Sequence, residues 1–166
     1  MKSKRHFVFN FSLISLSWIS LLFIGKQNFK RYSISGVFII IFEFINHLFA
    51  QNRKWWVFYD KPKSFLKEEL PFSMGPAMPL SMWILKFSFG NFKKFVLLNV
   101  LADGLFAFFF IDVLKKLKIA RLERINHLQF FLYLHYKAYL LYGVQWLVEK
   151  RKKDESWEQA ESSIKY

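Results

Sequence analysis

The sequence predicts an all-α protein: a polytopic integral membrane helical bundle of about five transmembrane helices, with the third one irregular or partly re-entrant. Hydrophobic residues make up 54% of the 166 residues. They come in blocks of about 18 to 20 residues, the length that a helix needs to cross ~30 Å of hydrocarbon. Basic residues crowd the connections between these blocks, as they do at the boundaries of membrane spans.

The net charge of +13 bears on the class of partner. The lysines and arginines flank the apolar blocks and do not alternate with aromatic residues along one surface, so we do not expect binding to nucleic acid. The expected partner is a lipid bilayer with anionic headgroups. The chain has no cysteine, which excludes disulfide bonds, thiolate nucleophiles and cysteine-ligated metals.

The first predicted span is Phe7 to Gly25, preceded by the basic residues Lys2, Lys4 and Arg5. A secretory signal also begins with positive charge and an apolar run, but this run is long for a signal and has no small-x-small cleavage site at its end. It leads directly into a basic link. We therefore predict an uncleaved anchor helix.

The second predicted span, Tyr32 to Ala50, contains Glu43 in the middle of an apolar run. Gly36 lies seven residues earlier and on the same helical face, where a small residue would let a neighbouring helix approach closely. The segment Arg53 to Tyr59 combines basic and aromatic residues and is expected to form an interfacial belt. For residues 60–70 we expect a loop or a short surface helix.

The third predicted span, Phe72 to Gly90, is irregular because its first half contains Gly75, Pro76 and Pro79. One interpretation is a helix that begins near Pro79, with residues 72–78 at the membrane interface, since proline is well tolerated at a helix start. The other is a broken span whose non-helical part lines a cavity.

The fourth predicted span, Phe92 to Leu114, places Asn99 and Asp103 four residues apart on one face, with Asp103 at its midpoint. Asp112 faces nearly the opposite way. We expect it to form an interfacial ion pair with the lysines of the following turn.

The fifth predicted span, Ile125 to Val148, carries His135 and Lys137. Residues 1–148 are thus predicted to form a single transmembrane helical domain, and residues 149–166 a charged juxtamembrane C-terminal tail. Five spans put the two termini on opposite sides, whereas the basic start of the tail favours the same cytoplasmic side as the N-terminus. A re-entrant third segment would remove that conflict.

A short motif, Glu-x-x-Asn-His, occurs twice in the chain. In a helix, residues three and four apart share a face, so each copy is expected to present its acid, amide and imidazole together. A carboxylate and an imidazole at this spacing can chelate a divalent metal, although metal sites in helical bundles typically use Glu-x-x-His. The candidate metal ligands are Glu43, His47, Glu123 and His127.

The remaining ionisable residues of the spans define a predicted polar core. A charge at mid-membrane costs roughly 2.5 to 3.5 kcal/mol on insertion scales, so such groups normally face the bundle interior and find partners. We expect Lys137 to pair with Asp103 or Glu43. A histidine beside these acids could also relay protons. Besides Glu43 and His47, the predicted polar core comprises Asn46, Asn99, Asp103, His135 and Lys137.

The sequence contains no phosphate-binding glycine loop, no Gly-x-Ser-x-Gly elbow and no His-Glu-x-x-His motif. The predicted function is that of a small multi-pass membrane protein with a non-enzymatic accessory, partner-binding or assembly role, working with a membrane protein partner or as a homo-oligomer. The expected location is the bacterial cytoplasmic membrane. The alternative is a metal-dependent membrane enzyme, or a small ion or proton carrier, that uses the Glu, His and Asp cluster.

Overall fold

The computed structural model describes residues 2–59 and 75–164, and this part of the chain is mostly helical. A 3₁₀ turn, Leu21–Phe23, follows the first helix, and two short strands lie near the ends of later helices: β1 (Trp56–Phe58) and β2 (Ala120–Leu122). The helices of the described part are α1 (Lys2–Ser20), α2 (Lys26–Asn52), α3 (Ala77–Ser88), α4 (Phe92–Lys116) and α5 (His127–Ile164).

Two glycines make the turns that separate consecutive helices. Gly25 (φ +88°) precedes α2, and Gly90 (φ +93°) lies between α3 and α4. Both have left-handed backbone conformations, which glycine adopts without a steric penalty. Asn91 then caps α4, because its side chain accepts a hydrogen bond of 3.0 Å from the backbone N–H of Lys94. These turns end the first and third predicted spans where the sequence placed their ends.

Helices α2 and α4 end in the same way. In each, a lysine with a left-handed backbone follows the helix, and the next N–H donates back to a carbonyl five residues earlier, as in a Schellman motif. The lysines are Lys54 (φ 53°) and Lys118 (φ 54°), and the bonds run from Trp55 to Ala50 (3.0 Å) and from Ile119 to Leu114 (2.9 Å). Both ends lead directly into a strand.

The two strands pair with each other in antiparallel register, with Trp56 opposite Leu122 and Phe58 opposite Ala120. The segment predicted only as an interfacial belt therefore contains a strand, which the sequence analysis missed. The pairing joins the end of α2 to the link between α4 and α5. Residues 60–70, predicted as a loop or surface helix, lie outside the described residues.

Helix α3 is short. It begins at Ala77, two residues before Pro79, and its 12 residues extend about 18 Å at ~1.5 Å per residue. This is less than the ~30 Å of a bilayer's hydrocarbon core. The start agrees with the interpretation that the helix begins near Pro79, and residues 72–74 lie outside the described part.

The contact of α3 with α2 depends on Gly36. A Cβ atom at this position would lie 2.9 Å from Cγ of Met78 and 3.2 Å from Sδ of Met82, closer than normal packing allows. The expectation that Gly36 permits close helix approach is confirmed. Leu85, Phe95 and Leu141 belong to the same hydrophobic core cluster as Met78 and Met82, and all three are almost completely buried.

Two helices of the described residues are long and apolar enough to cross a membrane: Lys26–Ala50 in α2 and Phe92–Lys116 in α4. Their outward faces carry large apolar side chains. On α4, Leu105 is 66% and Phe109 67% exposed. Helix α5 begins at His127 and continues to Ile164, so residues 149–164 of the predicted tail extend the helix.

Candidate functional site

A cavity of about 230 Å³ lies between α2, α3, α4, α5 and the two strands. Most of the predicted polar core lines it, although the contributing residues come from three different helices. The rest of the wall is mostly apolar and includes aromatic rings, among them Trp56 and Phe58 from β1 and Phe106 from α4. The polar residues of the lining that the sequence predicted are Glu43, His47, Asn99, Asp103 and Lys137.

Lys137 and Glu43 form an ion pair across the cavity wall, in which the Lys137 ammonium donates to Oε1 of Glu43. Their side chains are 6% and 18% exposed. The same ammonium lies 4.4 Å from the ring centroid of Tyr133, within cation–π range. The expected pairing of Lys137 with an acid of the core is therefore confirmed, and Glu43 is the partner.

The second acid of the cavity, Asp103, is held by His135. Oδ2 of Asp103 lies 3.1 Å from Nδ1 of His135, and Nε2 of His135 lies 3.0 Å from the hydroxyl of Tyr139. The ring of Phe131 stacks on His135 at 5.5 Å with an interplanar angle of 9°. A hydrogen-bonded chain thus runs from Tyr139, on the outer face of α5, through His135 to the cavity.

Helix α4 changes its geometry next to Asp103. Residues Leu105–Phe110 form a π-helical segment that begins two residues after this acid. Such segments are rare and occur frequently at functional sites. One turn before Asp103, the buried side chain of Asn99 donates to the carbonyl of Phe95 at 2.8 Å. The apolar run of this segment gives no local signal for the π geometry.

Two further residues of the first motif bind α2 to its neighbours. His47 is buried, lines the cavity, and has its ring 5.4 Å from that of Trp56, so it packs β1 against α2. Asn46 is half-buried outside the cavity lining. Its Nδ2 donates to the carbonyl of Phe42 at 2.8 Å, and its Oδ1 accepts from the hydroxyl of Tyr136 at 3.1 Å.

The second copy of the motif does not form a helical face, which corrects the prediction. Asn126 precedes α5 as its cap: its Oδ1 accepts from the N–H of Gln129 at 2.8 Å, and its own N–H donates to Oε1 of Gln129 at 3.0 Å. This reciprocal arrangement is a capping box. Glu123 therefore lies before the helix, where it pairs with Arg121 at 2.9 Å.

Asp112 has a different partner from the predicted one. Its Oδ1 lies 3.3 Å from Nε2 of His127, at the start of α5, instead of pairing with the lysines that follow it. Both side chains of this pair are about half exposed, at 51% and 43%. The pair links the end of α4 to the start of α5.

The candidate metal ligands consequently have separate surroundings. Glu43 contacts Lys137, Glu123 contacts Arg121, and His127 contacts Asp112. Within residues 2–59 and 75–164, no group of three His, Asp or Glu side chains is arranged to hold a metal ion. A divalent metal bound by Glu43, His47, Glu123 and His127 stays a prediction, without support from this geometry.

A polar network that the sequence analysis missed connects α2 and α5 at the other end of the bundle. The buried Ser35 donates to Oε1 of the buried Gln145 at 2.7 Å, and Gln145 donates to Glu149 at 3.0 Å. Arg31 donates to Glu149 at 2.6 Å, and this hydrogen bond holds the pKa of Glu149 below its ordinary value. The sequence signal that could have revealed this network is the four-residue spacing of Gln145 and Glu149, which places both on one face of a helix.

The site therefore combines an internal ion pair, an acid held by a histidine, and a mostly apolar wall with several aromatic rings around one cavity. This arrangement can bind a small molecule or fix the positions of the helices. No family model, curated protein or solved structure matches the chain.

Proposed function

We propose that this chain is a multi-pass integral membrane protein of the bacterial cytoplasmic membrane with a non-enzymatic role, as an accessory or assembly protein that binds a membrane partner or a second copy of itself. In this proposal α1, α2, α4 and α5 cross the bilayer together with the third segment, which contains α3. One observation carries it: ionisable groups at mid-helix turn inward and form pairs, while the outward faces of the same helices are apolar.

The outward faces support a lipid environment. Leu97, Leu105 and Phe109 of α4 are each more than half exposed, and residues on α2 such as Ile41 and Phe49 are as well. Burying apolar surface is worth roughly 25 cal/mol per Å², so a continuous face of this kind is unfavourable in water and marks contact with lipid or protein. Anionic headgroups would suit the basic ends of these helices.

The inward groups support a structural role for the polar core. Lys137 is neutralised by Glu43, and Asp103 is hydrogen-bonded to His135. Among the described residues, no group of three His, Asp or Glu side chains is arranged to hold a metal ion. Polar contacts of this kind fix which helices pack together and in which register.

A first experiment tests membrane integration. Membranes from expressing cells are extracted with alkaline carbonate and, separately, with a non-ionic detergent. We expect the protein to stay in the pellet after carbonate and to enter the supernatant with detergent. Release by carbonate alone would contradict the proposal.

A small proton carrier is the second candidate, because the Tyr139–His135–Asp103 chain reaches the cavity from the outer face of α5. Flux measurements in liposomes distinguish the carrier from the accessory role. The liposomes contain purified protein and an internal pH-sensitive dye, and they are energised by a potassium gradient and valinomycin. The accessory role predicts no proton flux above that of empty liposomes. A flux that disappears in Asp103→Asn would establish the carrier instead.

Elemental analysis of the same detergent-purified protein tests the metal-dependent alternative. The proposed role predicts no divalent metal at stoichiometric amount. One bound ion per chain, lost in both Glu43→Gln and His47→Gln, would favour the enzyme.

A further inference from the structure

We propose that the cavity binds a small organic cation: an ammonium group with a compact apolar body. The size of the cavity, the charge of its wall and the aromatic rings of its lining carry this inference. It does not depend on the accessory role, because a binding cavity fits an accessory protein and a carrier equally.

The first argument is size. The volume of about 230 Å³ is more than ten times the roughly 10–15 Å³ that one water molecule needs. The wall is mostly apolar, and only a few polar groups converge on the space, which is the usual composition of a small-molecule site. The cavity therefore suits a compact organic molecule better than a metal ion or a chain of waters.

The second argument is charge. The lining contains two carboxylates, Glu43 and Asp103, and a single lysine, Lys137, which is paired with Glu43. Asp103 contacts His135, whose Nδ1 lies 3.1 Å from its Oδ2, and no described residue donates to its Oδ1. The lining thus has one more acid than lysine, which favours a cation over an anion.

The third argument is the aromatic lining. The faces of aromatic rings attract cations through their quadrupole, and cages of this kind are a known means of recognising quaternary ammonium groups. Lys137 shows that this cavity accepts an ammonium over a ring, since its Nζ lies 4.4 Å from the Tyr133 centroid. The rings of the lining are those of Trp56, Phe58, Phe106, Phe130 and Tyr133.

The decisive experiment compares two probes that differ only in charge. Choline and 3,3-dimethyl-1-butanol have the same shape and hydroxyl, with a quaternary nitrogen in one and a carbon in the other. Their affinities for the full chain in a non-ionic detergent are measured by isothermal titration calorimetry. We expect choline to bind at least tenfold more tightly. Equal affinities, or no saturable binding of choline, would overturn the proposal.

A matched pair of variants locates the site. Asp103→Asn removes the charge but keeps an oxygen that can accept from His135, so choline affinity should fall at least tenfold while that of the alcohol stays unchanged. Asp112→Asn is the control, because Asp112 also pairs with a histidine, His127, but lies outside the cavity lining. It should bind choline like the parent chain. Unchanged choline affinity in Asp103→Asn contradicts the site. Should Asp103→Asn not fold, the comparison of the two probes on the unmodified chain decides.

Discussion

Glu43 and Lys137 lie 94 positions apart in the chain, yet they meet inside the bundle. This could be predicted from the sequence because a charge in an apolar span has few favourable alternatives to a buried partner. Which of the two acids, Glu43 or Asp103, pairs with Lys137 could not be predicted, since both lie near the middle of their spans. The outcome depends on the rotation of α4, which directs Asp103 to His135 instead.

The pair makes the first prediction. Lys137→Met leaves Glu43 buried without its partner and should lower the stability of the protein by about 3–5 kcal/mol. Adding Glu43→Gln removes the unpaired charge, so the double variant should recover much of this loss. Thermal unfolding in detergent measures both, with Lys153→Met, at an exposed position, as the neutral control. A double variant as unstable as the sum of the single changes would show that the two residues are not coupled.

Glu149 makes a prediction about pH. Its pKa is lowered in the folded protein, chiefly by the hydrogen bond from Arg31, so its contribution to stability is complete above its ordinary pKa of 4.5 and is lost as the pH falls through the lower folded value. Because the side chains of Arg31 and Glu149 are 46% and 27% exposed, the contribution is only about 0.2–1 kcal/mol.

The test compares the melting temperatures of the parent chain and Glu149→Gln across this range. The difference at pH 7 should shrink toward zero as the pH falls well below 4.5. Glu158→Gln, at an exposed position, should show no such trend. A difference that grows on acidification would mean that the pKa of Glu149 is raised instead.

At the scale of elements, local signals predicted helix positions well and non-local pairings poorly. Glycine marked the turns at Gly25 and Gly90, and Gly36 marked a close helix contact. The pairing of β1 with β2 joins segments of three residues that are about sixty positions apart, too short for an alternating pattern to show. The second Glu-x-x-Asn-His looked helical because the capping role of Asn126 depends on Gln129, outside the motif.

The contact between α2 and α3 gives a prediction at this scale. Gly36→Leu cannot fit against Met78 and Met82 without moving α3, and overpacking of this kind costs about 1–3 kcal/mol. Gly143→Leu is the matched control, because a Cβ atom at Gly143 meets no atom within 4 Å. Thermal unfolding should show a marked loss for the first variant only. Equal effects would indicate that α2 and α3 do not pack tightly here.

For the whole molecule, the main feature is that large apolar side chains face outward from the helices while ionisable side chains face the cavity. The sequence located most of the ionisable residues that line the cavity, because their position within apolar spans is unusual enough to be informative. It could not locate the aromatic part of the wall, because tryptophan and phenylalanine are abundant throughout the chain and only the tertiary packing distinguishes those of the cavity. The predicted number of spans also depended on the third segment, in which α3 extends only from Ala77 to Ser88, between Pro76 and the turn at Gly90.

The most direct measurement of this account is the accessibility of spin labels in liposomes. The chain has no cysteine, so single cysteines can be labelled with a nitroxide at Leu105 and Phe109, on the outward face of α4, and at Lys153 as the aqueous control. Labels in hydrocarbon collide mainly with oxygen, whereas labels in water collide mainly with a nickel chelate. We predict the oxygen pattern at Leu105 and Phe109 and the chelate pattern at Lys153. Chelate access at Leu105 and Phe109 equal to that at Lys153 would contradict a bundle whose apolar faces contact lipid.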